Sequence, residues 1–352
     1  MPHAEEYTEF TPDQYPPFPE GLNTIELQTI SLHKIQNGDQ AEQDRMFEAC
    51  KGWGFFYLDL SDSQEGQTIH KGADEIARVG EKIMALPVEE KMKYEPEPGE
   101  IIGYKKVGRT LVDKDKTPDT AEFFNVAKND MIVPDSKMKR QWPKLVMDNK
   151  ELFAKYCKAA HSTGMQIMDI LAKKLGIDPK EFRSRHTIEE PAGDHVRITR
   201  GPPRKTAEMP EIQTPSHTDF GTITILMNWL GGLQVLGSPN RVLGNLDFDD
   251  DGAQWMWVKP KPGCAIVNLG DAAVKFTNGV LCSGRHRVIP SPGEQGKWPR
   301  YSIVYFVRPI DDCKLKTLKG EGVPYAEDED EEGMNAREWI FVQSERLAGR
   351  IK

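Results

Sequence analysis

From Pro191 onward the chain breaks into short apolar runs separated by Gly, Pro, Asn and Asp: "HVRIT", "TITILMNWL", "GLQVLG", "QWMWVKP", "CAIVNLG", "VKFTNG", "RHRVIP" and "RYSIVYFVRP". Runs of this kind, rich in β-branched and aromatic residues, predict strands. Many short strands with turn punctuation bury their apolar faces against one another, so this part of the chain is expected to form a sandwich or a barrel. The Asn278-Gly279 pair adds a type I′ hairpin to that expectation.

The rest of the chain has a different texture. "AEQDRMFEACKGW" predicts a helix ending near Gly52 or Gly54, and "GFFYLDL" a strand after it. "GADEIARVGEKIMALPVEEKMKY" predicts a helix stopped or kinked at Pro87. The stretch from Trp142 to Leu175 predicts one long helix, with Gly176 as its C-cap. "NAREWIFVQSERL" opens with Asn335 and Glu338 in capping-box spacing. The expected organisation is an irregular arm (1–24), an α/β region (25–150), a long helix and connector (151–190), the strand-rich core (191–312), and an acidic loop with a C-terminal helix (313–352).

The net charge of -9 and pI near 5.5 argue against nucleic acid as the main ligand. The acidic run Glu327 to Glu332 reads as a solvated loop. Five scattered cysteines with no CxxC pair fit reduced thiols better than a disulfide framework. No secretory signal precedes the first strand, and no stretch approaches the roughly 18 apolar residues of a membrane helix. A cytoplasmic protein with no membrane attachment and no obligate protein partner is expected.

The most informative run is "SHTDFGTITIL" (Ser216 to Leu226). In an extended chain, positions i and i+2 share a face, so His217 and Asp219 project together. A solvated strand end explains such a pair; a bound metal ion explains it too. Of the remaining histidines, His286 in "SGRHRVIP" fits best as a third ligand, because a return strand can bring it alongside. Two histidines and one carboxylate leave half of a metal's coordination sphere open, as non-haem Fe(II) oxygenases require. A structural zinc site would fill it with four protein ligands. Downstream, Arg300 and Ser302 share a strand face with Val304 and Phe306. A guanidinium and a hydroxyl in an apolar interior need a partner, and an Arg fork is shaped for a carboxylate.

These segments together resemble the isopenicillin N synthase-like family of Fe(II)- and 2-oxoglutarate-dependent dioxygenases of plant and fungal small-molecule metabolism. The resemblance spans about Thr24 to Leu347. It is loose through "ACKGWGFFYL", "ALPVEEKMKY" and "DTAEFF", and close through "HTDFGTITIL", "GGLQVL", "WVKPKPGCAIVNLGDAAVKFTNG", "RHRV" and "RYSIVYFVRP". It implies a mainly β fold with flanking helices around a distorted jelly roll, the cupin-like double-stranded β-helix. It implies His217, Asp219 and His286 as the catalytic Fe(II) ligands, and Arg300 and Ser302 as the grip on the distal carboxylate of 2-oxoglutarate. It further implies O2 as a co-substrate, with release of succinate and CO2 as a small-molecule, secondary-metabolite substrate is hydroxylated, desaturated or cyclised.

One departure stands out. Where plant members often carry Asn-x-Tyr, this chain has Thr199 and Gly201; Thr199 can still hydrogen-bond, and Arg200 or a residue elsewhere is expected to compensate for the missing Tyr. Phe220, Phe306, Phe123 and Phe124 are candidate substrate contacts. The N-terminal arm and the C-terminal helix, with Trp339 and Phe341, are expected to fold over the mouth. The alternative within the fold is an oxidase that uses no 2-oxoglutarate, with Arg300 and Ser302 holding a substrate carboxylate. A non-catalytic module and a zinc hydrolase on the same scaffold are further alternatives; the intact triad and the lack of a second carboxylate beside "HTDFG" speak against them.

Overall fold

The computed structural model describes residues 9–97, 99–112, 117–204, 212–237, 254–326 and 333–347; the acidic run at 327–332 lies outside them. Twelve strands are present among the described residues: β1 (Thr29–Ser31), β2 (Phe55–Asp59), β3 (Gly103–Lys105), β4 (Glu122–Ala127), β5 (His195–Gly201), β6 (Thr214–His217), β7 (Ile223–Asn228), β8 (Leu233–Leu236), β9 (Trp255–Trp257), β10 (Cys264–Leu269), β11 (His286–Val288) and β12 (Arg300–Val307). They form an eight-stranded sheet in the order β1-β2-β10-β7-β12-β5-β4-β3 and a four-stranded sheet in the order β6-β11-β8-β9. This two-sheet arrangement is the expected jelly roll.

Strand alternation explains how the large sheet serves two cores. On β12, Tyr301, Ile303, Tyr305 and Val307 join the large cluster against the helices, together with Val196 and Ile198 of β5. The intervening Val304 and Phe306 face the small sheet, in a second cluster with Leu226, Leu233, Val235 and Ile266. All eight residues of β12 are buried, because both of its faces are covered.

Two helices pack on the outer face of the large sheet. Gln64–Met84 starts where the Ser63 hydroxyl accepts the Gly66 N–H, and it buries Ile69, Ala73, Ile76, Ala77 and Ile83. Lys150–Leu175 ends at Gly176, whose φ of 63° is the left-handed cap expected there. Close approach requires a missing side chain: a Cβ on Gly80 would lie 2.4 Å from Ile198 Cγ2.

Three local expectations are corrected. The long helix does not begin at Trp142; a short turn, Lys144–Met147, precedes it, and the chain breaks at Asp148 and Asn149. "TIELQTISL" contributes only the three residues of β1 and one bridge from Thr24 to Trp257. "VKFTNG" is not a strand with a hairpin turn. It belongs to the helix Asp271–Phe276, which buries Ala272, Ala273 and Phe276. Asn278 and Gly279 do take positive φ, 45° and 81°, but they close that helix, with the Gly279 N–H bonded to the Val274 carbonyl. The same left-handed pair suits a helix end and a hairpin, and burial of the apolar side chains decides.

The β12 face turned to the helices tests this packing. Ile303 is fully buried. Ile303→Ala is expected to cost about 2–5 kcal/mol, read as a lowered urea midpoint.

Candidate active site

The run "SHTDFGTITIL" is not one strand. β6 ends at His217, β7 begins at Ile223, and the two belong to different sheets. Residues 218–222 carry the chain across the gap between the sheets. A Cβ on Gly221 would lie 2.8 Å from Arg308 Cγ and 2.9 Å from the Val307 carbonyl oxygen, so only glycine fits this crossing without displacement.

The crossing assembles a donor set from both sheets. In the small sheet, His286 of β11 is the direct cross-strand partner of His217 of β6, and their ring centroids are 4.3 Å apart. Each imidazole has its Nδ1 against a backbone carbonyl, Pro215 at 2.8 Å and Gly284 at 3.1 Å. That leaves each Nε2 facing Asp219 Oδ1, at 3.7 Å and 4.0 Å. The other carboxylate oxygen, Oδ2, accepts hydrogen bonds from Thr224 Oγ1 of β7 (2.6 Å) and Asn268 Nδ2 of β10 (2.7 Å), both in the large sheet.

All three side chains are buried, and their donor atoms lie within 4.8 Å of one another. One ion with bonds of about 2.0–2.2 Å can bridge such a set. Burial, reinforced by His286, holds the His217 pKa down at about 3, so this ring is uncharged at neutral pH. Burial opposes ionisation of Asp219, but His286, His217 and the bonds from Asn268 and Thr224 outweigh it and keep the group below its ordinary value. A single buried carboxylate beside two imidazole nitrogens fits a divalent cation.

A cavity between the sheets joins this set to β12. It is lined by His217, Asp219, His286, Arg300, Ser302 and Thr199, among others. Arg300 is buried; its Nε donates to the Gly231 carbonyl at 2.8 Å, and Nη1 lies 3.5 Å from Ser302 Oγ. Burial pushes its pKa down to about 10. Thr199 is the cross-strand partner of Ser302, so both hydroxyl-bearing residues lie side by side in this wall.

The gap left by Gly201 is filled from elsewhere. Arg200 turns away and pairs with Glu9 of the N-terminal arm at 2.8 Å, where Tyr301 Oη also donates. A Cβ on Gly201 would instead lie 2.2 Å from Oε1 of Gln213, whose buried side chain occupies that space. The sequence signal for Gln213 is faint, since it lies 12 positions further along the chain than Gly201.

A larger cavity adjoins the first, sharing His217, Asp219, Arg197 and Phe306 with it, and is lined also by Phe123, Phe220 and Arg308. Phe124 does not reach it: the next residue on β4 points to the opposite face, where Phe124 is fully buried beside Tyr94, Tyr104 and Trp142. The C-terminal helix Ala336–Leu347, held by the reciprocal Asn335–Glu338 capping box, borders the cavity through Ile340 and Ser344. Trp339 and Phe341 do not line it. Neither does any arm residue from Glu9 onward; Phe10 packs instead on Trp229 at 4.6 Å. Arg197, Arg308, Asn268 and Thr224 are site residues that pattern reading missed. Arg197 was findable, because it sits two residues before Thr199 on the same strand face.

Two-sheet closure around a buried His-Asp-His set with an arginine-serine wall defines a non-haem iron oxygenase. Comparison with known proteins agrees. Residues 193–309 match the 2OG-Fe(II) oxygenase superfamily, and residues 22–145 match the non-haem dioxygenase in morphine synthesis N-terminal family. A 2-oxoglutarate-dependent dioxygenase of Aspergillus fumigatus is 32% identical over 320 residues, covering 87% of this chain and 82% of its own length. Another, from Glarea lozoyensis, is 30% identical over 298 residues, covering 84% of each chain. Among solved structures, a full-length Neurospora crassa protein in complex with α-KG and thymine superposes with a TM-score of 0.72 at 23% identity, covering 92% of this chain and 97% of that one; it supports the fold. The chain belongs to the Fe(II)- and 2-oxoglutarate-dependent oxygenases, and its cofactors are Fe(II) and 2-oxoglutarate.

The contact between Gly201 and Gln213 yields a test. Gly201→Ala and Gln213→Ala are each expected to destabilise, the first by about 1–3 kcal/mol from overpacking. The double variant is expected to lose less than their sum, by about 0.5–3 kcal/mol, in a denaturation cycle.

Proposed function

We propose that His217, Asp219 and His286 hold the catalytic Fe(II), and that Arg300 and Ser302, with Thr199 beside them, hold the distal carboxylate of 2-oxoglutarate. The observation that carries this reading is the cavity between the sheets, whose lining brings together the His217 and His286 imidazoles, the Asp219 carboxylate and the buried Arg300 guanidinium. When bound, the iron and 2-oxoglutarate supply an O2-dependent oxidation in which substrate, O2 and 2-oxoglutarate give oxidised substrate, succinate and CO2. The chain's own contribution is placement. Thr224 and Asn268 fix one oxygen of Asp219 so that the other faces inward, and the Pro215 and Gly284 carbonyls fix the imidazole tautomers. Arg300 offers a fork that matches a carboxylate, in a wall of Leu226, Val304 and Phe306 that excludes water.

The molecule oxidised is, in this proposal, a free small molecule of secondary metabolism, and residues 191–312 form the catalytic unit. The description of the N-terminal match names morphine synthesis, and a solved neighbour was crystallised with thymine. The larger cavity is bordered by a helix, which suits a substrate that can be enclosed. We place the enzyme in the cytoplasm: the five cysteines are buried and form no disulfide, as a reducing compartment favours, and no described helix is long and apolar enough to cross a membrane.

Two measurements test the assignment. Wild-type protein is expected to bind one Fe(II) per chain, and Asp219→Ala to lose nearly all of it by metal analysis, because the only anionic donor is gone. Near-normal iron in that variant would refute the triad. Separately, anaerobic titration of the iron-loaded protein with 2-oxoglutarate is expected to give a visible charge-transfer band. Arg300→Ala is expected to weaken that binding about tenfold or more, since a charge-assisted contact contributes roughly 1.5–3 kcal/mol. Arg300→Lys should recover part of it, an ammonium lacking the fork. Substrate oxidation without consumption of 2-oxoglutarate would instead assign Arg300 to the substrate.

A further inference from the structure

We propose that the larger cavity recognises its substrate through a carboxylate, held by Arg308 with Arg197 beside it. The inference rests on the reading above, that this cavity takes the molecule to be oxidised. Arg308 follows directly on β12 and is 3% exposed. Its Nε and Nη1 are buried and make no hydrogen bond. Its backbone N–H is bonded to Asp194, but that carboxylate is committed to Lys128 at 3.3 Å. The guanidinium carbon lies 5.2 Å from the centre of the Phe306 ring. Arg197 reaches the same ring at 4.9 Å and stacks on Phe123 at 4.2 Å, with only its Nε committed, to Asn125 Oδ1 at 2.9 Å.

Most of the other charges on this wall have named partners, and Glu345 of the C-terminal helix is a further carboxylate in the lining. Lys105 is paired with Asp119 and donates to the Ala121 carbonyl. Arg109 pairs with Glu95 at 3.0 Å, and Glu100 is shared by Arg140 and Arg337. Asp219 is committed to the iron set. The wall therefore presents two guanidiniums with no carboxylate bonded to them, flanked by Phe123 and Phe306. A buried guanidinium with unmet donors is costly to the fold. It is explained when a ligand brings the acceptor, and the planar fork suits a carboxylate's two oxygens. The substrate is thus an organic acid whose apolar body lies against the aromatic rings, with its acid group fixing which carbon faces the iron. Arg197 lines both cavities, but Arg308 is absent from the lining of the one that holds Arg300, which separates Arg308 from the proposed 2-oxoglutarate grip.

The test uses the full chain loaded with Fe(II) and 2-oxoglutarate, without O2. Probes are matched sets of an acid, its neutral amide and its phosphonate, built on phenylacetic, 3-phenylpropionic, cyclohexylacetic and 1-naphthylacetic acids, with affinities read by calorimetry. In at least one set the acid is expected to bind about tenfold or more tightly than the amide, the size of one charge-assisted contact. Arg308→Met should bring that ratio near one and Arg308→Lys should restore part of it, while 2-oxoglutarate affinity stays within a few-fold of wild type. Ligand-free Arg308→Met should also melt no lower than wild type, since it removes unmet buried donors. If iron and 2-oxoglutarate bind but no acid outperforms its amide, or the preference survives in Arg308→Met, the inference fails and the oxygenase reading stands. A stronger preference for the phosphonates, a tenfold loss of 2-oxoglutarate affinity in Arg308→Met, or a large drop in its melting temperature would each overturn it as well. If iron and 2-oxoglutarate themselves do not bind, the underlying reading falls, and this inference with it.

Discussion

The hydrogen bonds from Thr224 and Asn268 to one oxygen of Asp219 are the contact on which the site depends. Asp219 sits in the crossing between the two sheets, where no strand ladder holds it. Its outer oxygen is tied to β7 and β10 of the large sheet, while its inner oxygen faces the imidazoles of β6 and β11 in the small sheet. The donor set is therefore a clasp between two layers. A displacement of one sheet against the other would separate the carboxylate from the rings, so the two hydrophobic clusters that fix the layers also fix the spacing of the three donors.

The second organising constraint is electrostatic. The cavities beside the clasp are walled by apolar rings, yet they contain Arg300, Arg197 and Arg308, each with its pKa held below the ordinary value by burial first of all. A fold selected only for stability would replace such groups with apolar side chains of similar volume. Their retention makes the interior an acceptor of anions. In the proposed arrangement the ligands bring the charges that the walls lack: one acid at Arg300 and another at Arg308 and Arg197. Binding energy is then available for orientation, which is what an oxidation at a chosen carbon demands.

The catalytic half was readable to a considerable depth, for specific reasons. Punctuated β-branched runs indicated a closed sheet structure, and the period of two along β12 separated Arg300, Ser302, Val304 and Phe306 from the residues that pack on the helices. The same period allowed His217 and Asp219 to be grouped, although the structure groups them by a different route, a strand end followed by a crossing. Where reading failed, the missing information was burial. "VKFTNG" and a strand look alike until Phe276 and its neighbours find their core, and Phe123 and Phe124 are equivalent until β4 is placed with one face inward.

By itself, the sequence determined the period of each element, the residue types able to bind a divalent cation, and the presence of an arginine and a serine on one strand face. These are local properties, set by backbone geometry and side-chain chemistry over a few residues. Only the tertiary structure decided that Gln213 fills the space above Gly201, that Arg200 is spent on Glu9 of the arm, and that Arg308 is left without an anion. Each of these depends on which distant segments meet, through packing of side chains far apart along the chain. A hydrogen-bonding group is committed or available only relative to its neighbours in space, so the chemistry that remains for a ligand becomes visible once the chain is folded.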